Sequence, residues 1–156
     1  MIELKTAIMI CIIHLLYYTY FQVISDLVRI GRIHNTPNIM VSRLRSKYKV
    51  NIMTFQKNSN HHGFAWFNSI YLNENLFLNP KKLEWAFHHE HYHLINNHKR
   101  DILLMRFVFS LIPILAAFIP WVVPFMAYLA FAYLMHYVSI KQEKYANRHA
   151  ILAMKK

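Results

Sequence analysis

Two long apolar runs dominate the pattern along the chain. Residues 6–24 carry no formal charge, and residues 102–139 are largely apolar and are interrupted by three prolines near the middle. About 20 apolar residues cross the hydrocarbon core of a bilayer, so the first run predicts one transmembrane helix and the second a transmembrane helical hairpin. A cleaved signal peptide is the alternative for the first run, but tyrosines crowd its far end, where small residues normally precede a cleavage site.

The segment between these runs, residues 25–101, has mixed polarity and predicts an extramembrane domain. Apolar and polar residues alternate over residues 50–55, and residues 64–72 are rich in aromatic and β-branched side chains, so each stretch predicts a strand. The polar residues 57–63 predict a loop between them. We therefore expect a mainly α membrane protein with about three transmembrane helices and a small α+β domain that contains a short β-sheet.

Helix signals follow the predicted strands. Asn79 can cap a helix N-terminus, and Pro80 suits the first helical position, so a helix is expected over about residues 80–97. The last segment, residues 140–156, is also expected to be helical and carries several Lys and Arg residues.

The charge distribution predicts the orientation. The net charge is +11, and most Lys and Arg residues lie in residues 25–101 and 140–156. Positive residues favour the cytoplasmic side and anionic lipid headgroups, so both segments are expected to be cytoplasmic and to contact membrane lipid. No recognition motif accompanies the charge, so nucleic acid is not an expected partner. The single cysteine, Cys11, excludes an intramolecular disulfide.

The sequence His-Glu-x-x-His occurs at residues 89–93, inside the predicted helix. Residues four apart lie on the same helix face, so His89 and His93 can ligate one zinc ion, and Glu90 lies beside them as a candidate general base. Peptide hydrolysis is therefore the first hypothesis. A chain with eleven histidines can also match the motif by chance, and a loose metal-binding patch is the alternative.

A catalytic zinc site uses three protein ligands, so a third ligand must come from elsewhere in the chain. Glu143 is the best candidate, because it shares a helix face with Asn147 in the C-terminal segment. Asn147 could accept a hydrogen bond from the distal nitrogen of a ligating imidazole. Glu143 can reach His89 and His93 only if residues 102–139 cross the membrane twice or not at all. The predicted metal site therefore requires that residues 102–139 return the chain to the side of the membrane on which they began, as the predicted hairpin does.

The remaining histidines near the motif are expected to have structural or supporting roles. His88 and His91 fall away from the face that carries the two proposed ligands. His98 would lie beyond the reach of the metal if the helix continued through it.

The chain resembles the HtpX-type membrane zinc metallopeptidases, a group that includes the CAAX prenyl proteases and has the BlaR/MecR sensor peptidases as relatives. The matching segments are residues 71–76 with 83–88, residues 89–93 with His98, and residues 143–150. The resemblance implies a zincin-like domain of the gluzincin type and an active site on the cytoplasmic side, close to the membrane. The implied ligands of one Zn2+ are His89, His93 and Glu143, with Glu90 as base.

Two features depart from the pattern of that family. The family usually has Asp where this chain has Asn147, which weakens the expected support of the ligand. It also usually has small or apolar residues at the two middle positions of the motif, where this chain has His91 and Tyr92. A different packing of the motif helix is therefore expected.

The expected reaction is cleavage of a protein or peptide substrate in or next to the membrane. Zinc lowers the pKa of its bound water toward ~7, and Glu90 is expected to remove a proton as this water attacks the peptide carbonyl. The strand at residues 64–72 is the candidate edge along which a substrate would lie. An ordinary core strand that packs Trp66 and Phe67 is the alternative. Three residues are candidates for stabilising the oxyanion or contacting the substrate: Tyr145, Arg148 and His149.

Three other functions are compatible with the sequence. One is a BlaR-like peptidase that is activated by a signal received through a partner. Another is a non-catalytic or degenerate membrane protein that uses its histidines to bind metal or a partner. The last is a small membrane protein in which the motif is accidental. Chelator-sensitive cleavage that zinc restores would separate the peptidase from the non-catalytic functions.

Overall fold

The computed structural model describes residues 3–30, 32–34, 37–56, 62–66 and 68–155. In chain order its elements are α1 (Leu4–Ile30), β1 (Arg32–His34), α2 (Ile39–Tyr48), β2 (Asn51–Gln56), β3 (Gly63–Trp66), β4 (Ser69–Asn73), a 3₁₀ helix (Glu74–Leu78), α3 (Pro80–Ile95), α4 (His98–Leu111), a second 3₁₀ helix (Ile112–Ala117) and α5 (Val122–Ala153). The expected fold class, mainly helical with a small sheet, is confirmed.

The chain forms two compact units. The first, which we call the helical unit, comprises Met1–Ser25 and Arg100–Lys141, and the second, the sheet unit, comprises Asp26–Lys99 and Gln142–Lys156. The chain thus leaves the sheet unit after Lys99 and returns to it at Gln142. Such a return is expected whether residues 102–139 cross the membrane twice or not at all, so the membrane hairpin stays a prediction.

The helical unit contains parts of α1, α4 and α5. His14 on α1 lies 3.4 Å from the hydroxyl of Tyr128 on α5, and the ring of Tyr128 packs on Phe109 of α4 with ring centroids 4.2 Å apart. Most other apolar side chains of α5 in this unit are exposed, including Phe125, Leu129 and Leu134. A helix whose outer surface is apolar matches a lipid environment better than water.

Among the described residues, one helix is long and apolar enough to cross a membrane, namely α5. Leu4–Tyr17 is a shorter apolar segment, and α4 has only 14 residues. Length and composition alone are weak support for a membrane span, so the expected number of three spans stays a prediction. The second arm of the predicted hairpin and the predicted helix at residues 140–156 form one uninterrupted helix, α5. No proline or glycine follows Pro124 in this helix to end it.

The sheet unit contains four short strands in the order β1-β2-β4-β3. β2 and β4 run parallel, while β1 pairs with β2 and β3 with β4 in antiparallel fashion. The prediction of one strand over residues 64–72 was wrong, because this stretch turns at Asn68 and forms the β3-β4 hairpin. β3 is an edge strand of the described sheet, whereas β4 lies inside it. Residues 57–61 of the predicted loop lie outside the described residues.

α3 packs on this sheet through one apolar face. Leu83, Ala86 and Phe87 recur at helical spacing and are buried against the strand residues Ile70 and Leu72. The helix begins where the sequence predicts, because Asn79 Oδ1 accepts a hydrogen bond of 3.1 Å from the Lys82 N–H and Pro80 occupies the first turn. It ends at Ile95, two residues before the predicted limit.

Candidate metal centre

The centre forms where α3 meets the last turns of α5 within the sheet unit. Glu143 and Asn147 lie on the same face of α5 as Ala146 and Ala150, both of which are completely buried. Side chains as small as alanine allow a helix to approach its neighbours closely. We infer that this small-residue face brings the carboxylate of Glu143 within reach of His89 on α3.

Three side chains converge on one point. His89 Nε2 lies 3.2 Å from His93 Nε2 and 3.2 Å from Glu143 Oε2, and His93 Nε2 lies 3.4 Å from Glu143 Oε1. Tetrahedral zinc with bonds of ~2.0–2.1 Å requires ligand atoms about 3.3 Å apart. The separation of the two imidazole nitrogens, and that of each nitrogen from one Glu143 oxygen, is close to this value. His89, His93 and Glu143 therefore form a group that could hold a metal ion.

Electrostatics also favours a cation at this point. Burial lowers the pKa of His89, but the hydrogen bond that its ring donates to Glu143, together with the charges of Glu90 and Glu143, outweighs burial, and the net pKa is raised. The hydrogen bonds from His89 and His93 lower the pKa of Glu143 well below its ordinary value. The carboxylate thus stays ionised and faces two imidazole nitrogens, as in a His-His-carboxylate metal site.

Asn147 holds the first proposed ligand. His89 Nδ1 lies 3.0 Å from Asn147 Oδ1, so the ring donates its Nδ1 proton to the amide oxygen and leaves Nε2 directed at the centre. This is the contact that the sequence predicts for Asn147. The amide carries no charge, so it supports the ring less strongly than the carboxylate of the resembled family would.

Glu90 is positioned by the sheet. Burial raises the pKa of its carboxyl group, and the charges of His89 and His93 oppose this effect without reversing it. The carboxylate also accepts a hydrogen bond from the backbone N–H of Ala65 on β3. An acidic group with a raised pKa next to a candidate metal site is a candidate for general acid–base catalysis.

The three other histidines near the motif, His88, His91 and His98, lie on different sides of the motif helix. His88 is buried, and the ring of His91 packs against the rings of Tyr48 and Phe87, with centroids 5.1 Å and 5.4 Å away. Both therefore face away from the centre, as expected. His98 does not, because its Nδ1 lies 2.7 Å from His93 Nδ1. His98 would lie beyond the metal only on a helix that continued through it, and α3 ends at Ile95.

The candidates for oxyanion or substrate contacts are dispersed. His149 packs near Tyr92 and His88, with ring centroids 5.2 Å and 6.4 Å away. Tyr145 and Arg148 are exposed on α5. Their roles in oxyanion or substrate contacts stay predictions.

Comparison of the chain with protein-family models, with curated proteins and with solved structures finds no match.

Proposed function

We propose that the protein is a membrane-embedded, zinc-dependent metalloendopeptidase of the gluzincin type, similar to the HtpX-type and CAAX prenyl proteases. The observation that carries this proposal is the convergence of His89, His93 and Glu143: the two imidazole Nε2 atoms are 3.2 Å apart, and each lies 3.2–3.4 Å from one of the two Glu143 carboxylate oxygens. Three protein ligands leave a fourth position open on a tetrahedral ion, as catalytic zinc sites require.

The proposed roles follow from the chemistry of each residue. Zinc bound here would act as a Lewis acid on a peptide carbonyl and would acidify a water molecule. Glu90 accepts a proton during the attack and returns it to the leaving amine, because it follows His89 directly in the motif helix and its carboxyl has a raised pKa. The Ala65 N–H keeps this carboxylate in one orientation.

The substrate is proposed to bind along β3. This strand is an edge of the described sheet, and its Ala65 already contacts the proposed base. An edge strand offers unpaired backbone groups, which can hold an extended peptide through main-chain hydrogen bonds regardless of its side chains. Such binding fits an endopeptidase with broad sequence tolerance.

Membrane proteins and juxtamembrane segments are the proposed substrate class. Glu143 follows the start of α5 by 21 residues, which at ~1.5 Å per residue is about 32 Å along the helix axis. The hydrocarbon core of a bilayer is ~30 Å thick, so a spanning α5 would place the proposed ligand at the membrane surface. The excess of Lys and Arg favours the cytoplasmic surface.

The test is zinc-dependent proteolysis by the purified full chain in detergent or lipid discs. We expect about one zinc per chain, and cleavage of unfolded casein or of a membrane-protein substrate that a chelator blocks and zinc restores. Glu90→Gln should retain zinc and lose ~10²–10⁴-fold in cleavage rate, whereas Glu84→Gln makes the same change on the same helix and should be unaffected. His93→Ala should lose both zinc and cleavage.

The outcomes separate the proposal from its rivals. Stoichiometric zinc without cleavage of either substrate would indicate a non-catalytic or signal-activated protein. Cleavage that persists undiminished in Glu90→Gln would remove the proposed base, and the absence of bound zinc would overturn the proposed function.

A further inference from the structure

The break between α3 and α4 returns His98 to the candidate metal centre. α3 ends at Ile95, and Asn97 adopts the left-handed conformation with φ 53° before α4 starts at His98. The turn is closed by the side-chain amide of Asn96, which donates a hydrogen bond of 2.8 Å to the Tyr92 carbonyl. On an uninterrupted helix, residue 98 would lie ~140° around the axis from residue 93. Because the chain turns between α3 and α4, His98 is not held at this angle and lies next to His93.

His98 is thereby placed against the outer nitrogen of a proposed ligand. The Nδ1 atoms of His93 and His98 are 2.7 Å apart, and the two rings are inclined at 67° with centroids 5.0 Å apart. His93 Nε2 faces His89 and Glu143, so the contact with His98 occupies the other nitrogen of the His93 ring. The distance and the choice of atoms indicate a hydrogen bond rather than ring packing alone.

The direction of this hydrogen bond follows from the chemistry of a ligating imidazole. A neutral histidine that gives its Nε2 lone pair to a metal carries its proton on Nδ1 and must donate it. The partner atom must therefore be an acceptor, which requires a neutral His98 with its own proton on Nε2. His98 thus does for His93 what Asn147 does for His89.

We infer that His98 is a positioning residue of the metal centre, whose neutral imidazole accepts the Nδ1 proton of His93 and fixes the His93 Nε2 lone pair toward the ion. The inference rests on the metal-binding part of the proposed function and is independent of whether peptides are cleaved. Both histidine ligands are then oriented by uncharged acceptors, one an amide and the other an imidazole. Loss of such a partner commonly lowers metal affinity by 10–100-fold.

Two substitutions of His98 test whether its hydrogen-bond acceptor or its aromatic ring supports metal binding. His98→Asn keeps an acceptor oxygen and removes the aromatic ring, whereas His98→Phe keeps a ring and removes the acceptor. Affinity for Zn2+ is measured on the full chain by competition with a chromophoric chelator, and the absorption of the Co2+-loaded protein reports ligand geometry. His91→Ala is the matched control, because it removes a half-buried histidine from α3 that faces Tyr48 and Phe87.

We expect His98→Phe to lose about 10–100-fold in Zn2+ affinity and to change the Co2+ spectrum. His98→Asn should bind Zn2+ more tightly than His98→Phe and keep a spectrum closer to that of the unmodified chain. His91→Ala should retain its affinity.

An affinity of His98→Asn equal to or below that of His98→Phe would overturn the inference and assign His98 a packing role. Failure of the unmodified chain to bind Zn2+ or Co2+ would instead overturn the proposed metal centre. The two failures are therefore distinguishable, and neither depends on a protease assay.

Discussion

Gly63 on β3 lies directly against Glu90 on α3. A Cβ atom at position 63 would be 3.3 Å from Glu90 Cγ, 3.1 Å from Leu72 Cδ2 and only 2.7 Å from the Tyr71 carbonyl oxygen. The last distance involves backbone, which cannot move without shifting the β3-β4 pairing. Glycine at this position therefore allows the edge strand and the proposed base to approach each other.

Gly63→Ala should consequently disturb Glu90 more than the metal ligands. We expect a loss of about 1–3 kcal/mol in the free energy of unfolding, which is typical of overpacking at a tight site. Cleavage rate should fall, while Zn2+ affinity stays within a few-fold of that of the unmodified chain, because the three atoms nearest to the added Cβ belong to Tyr71, Leu72 and Glu90 and not to a proposed ligand. Chemical unfolding, zinc competition and proteolysis of the same preparation check the three effects. An unchanged cleavage rate would show that the strand can accommodate the methyl group without moving Glu90.

Asn147→Asp should strengthen metal binding. A carboxylate that accepts the Nδ1 proton of His89 makes the ring a better donor to the ion than an amide does, and it adds a negative charge next to a cation. We expect Zn2+ affinity to rise by about tenfold in chelator competition, whereas Asn147→Ala should lower it by about 10–100-fold. Equal affinities for the Asp and Ala variants would contradict the contact with His89.

Zinc should stabilise the folded sheet unit. Two proposed ligands lie on α3 and the third on α5, and Glu143 follows His93 by 50 residues of chain. An ion that binds all three therefore restrains both helices only in the folded state. At a free zinc concentration 1,000 times Kd, the gain is about 4 kcal/mol. A thermal scan with and without zinc should show a higher Tm with metal, and His93→Ala should abolish the difference. A zinc-induced shift that persists in His93→Ala would place the stabilising ion elsewhere.

Asn97 should be replaceable by glycine but not by valine. Its φ of 53° lies in the left-handed region, which glycine adopts freely and a β-branched residue adopts at a cost of about 1–2 kcal/mol. Asn97→Val should therefore lower stability and, by displacing His98, also lower Zn2+ affinity. Asn97→Gly is the matched control and should keep that affinity. Equal zinc binding by the two variants would show that the turn does not determine the position of His98.

Local signals predicted the motif helix well. The cap at Asn79, the proline that follows it and the apolar spacing of Leu83 and Phe87 all lie within a few residues of the helix they define. The class of the fold followed in the same way from apolar runs and alternation. These features can be predicted without knowing which distant parts of the chain pack against them.

Features that depend on strand pairing, or on the backbone conformation of a single residue, were harder to predict from the sequence. α2 and β1 were not predicted, although Asn38 caps α2 by accepting hydrogen bonds from Met40 and Val41. The β3-β4 hairpin was taken for one strand because the aromatic and β-branched composition continues across its turn. The contact of His98 with His93 was not predicted, because it follows a turn that contains one left-handed residue, Asn97. The adjacent pair Asn96-Asn97 was the available signal for a helix end there.

Glu143 and Asn147 lie one turn apart on a single face of α5. A small rotation of these last turns against α3 would therefore move one proposed ligand and the hydrogen-bond acceptor of another at the same time. The fit of one helix face thus sets the geometry of the whole proposed centre.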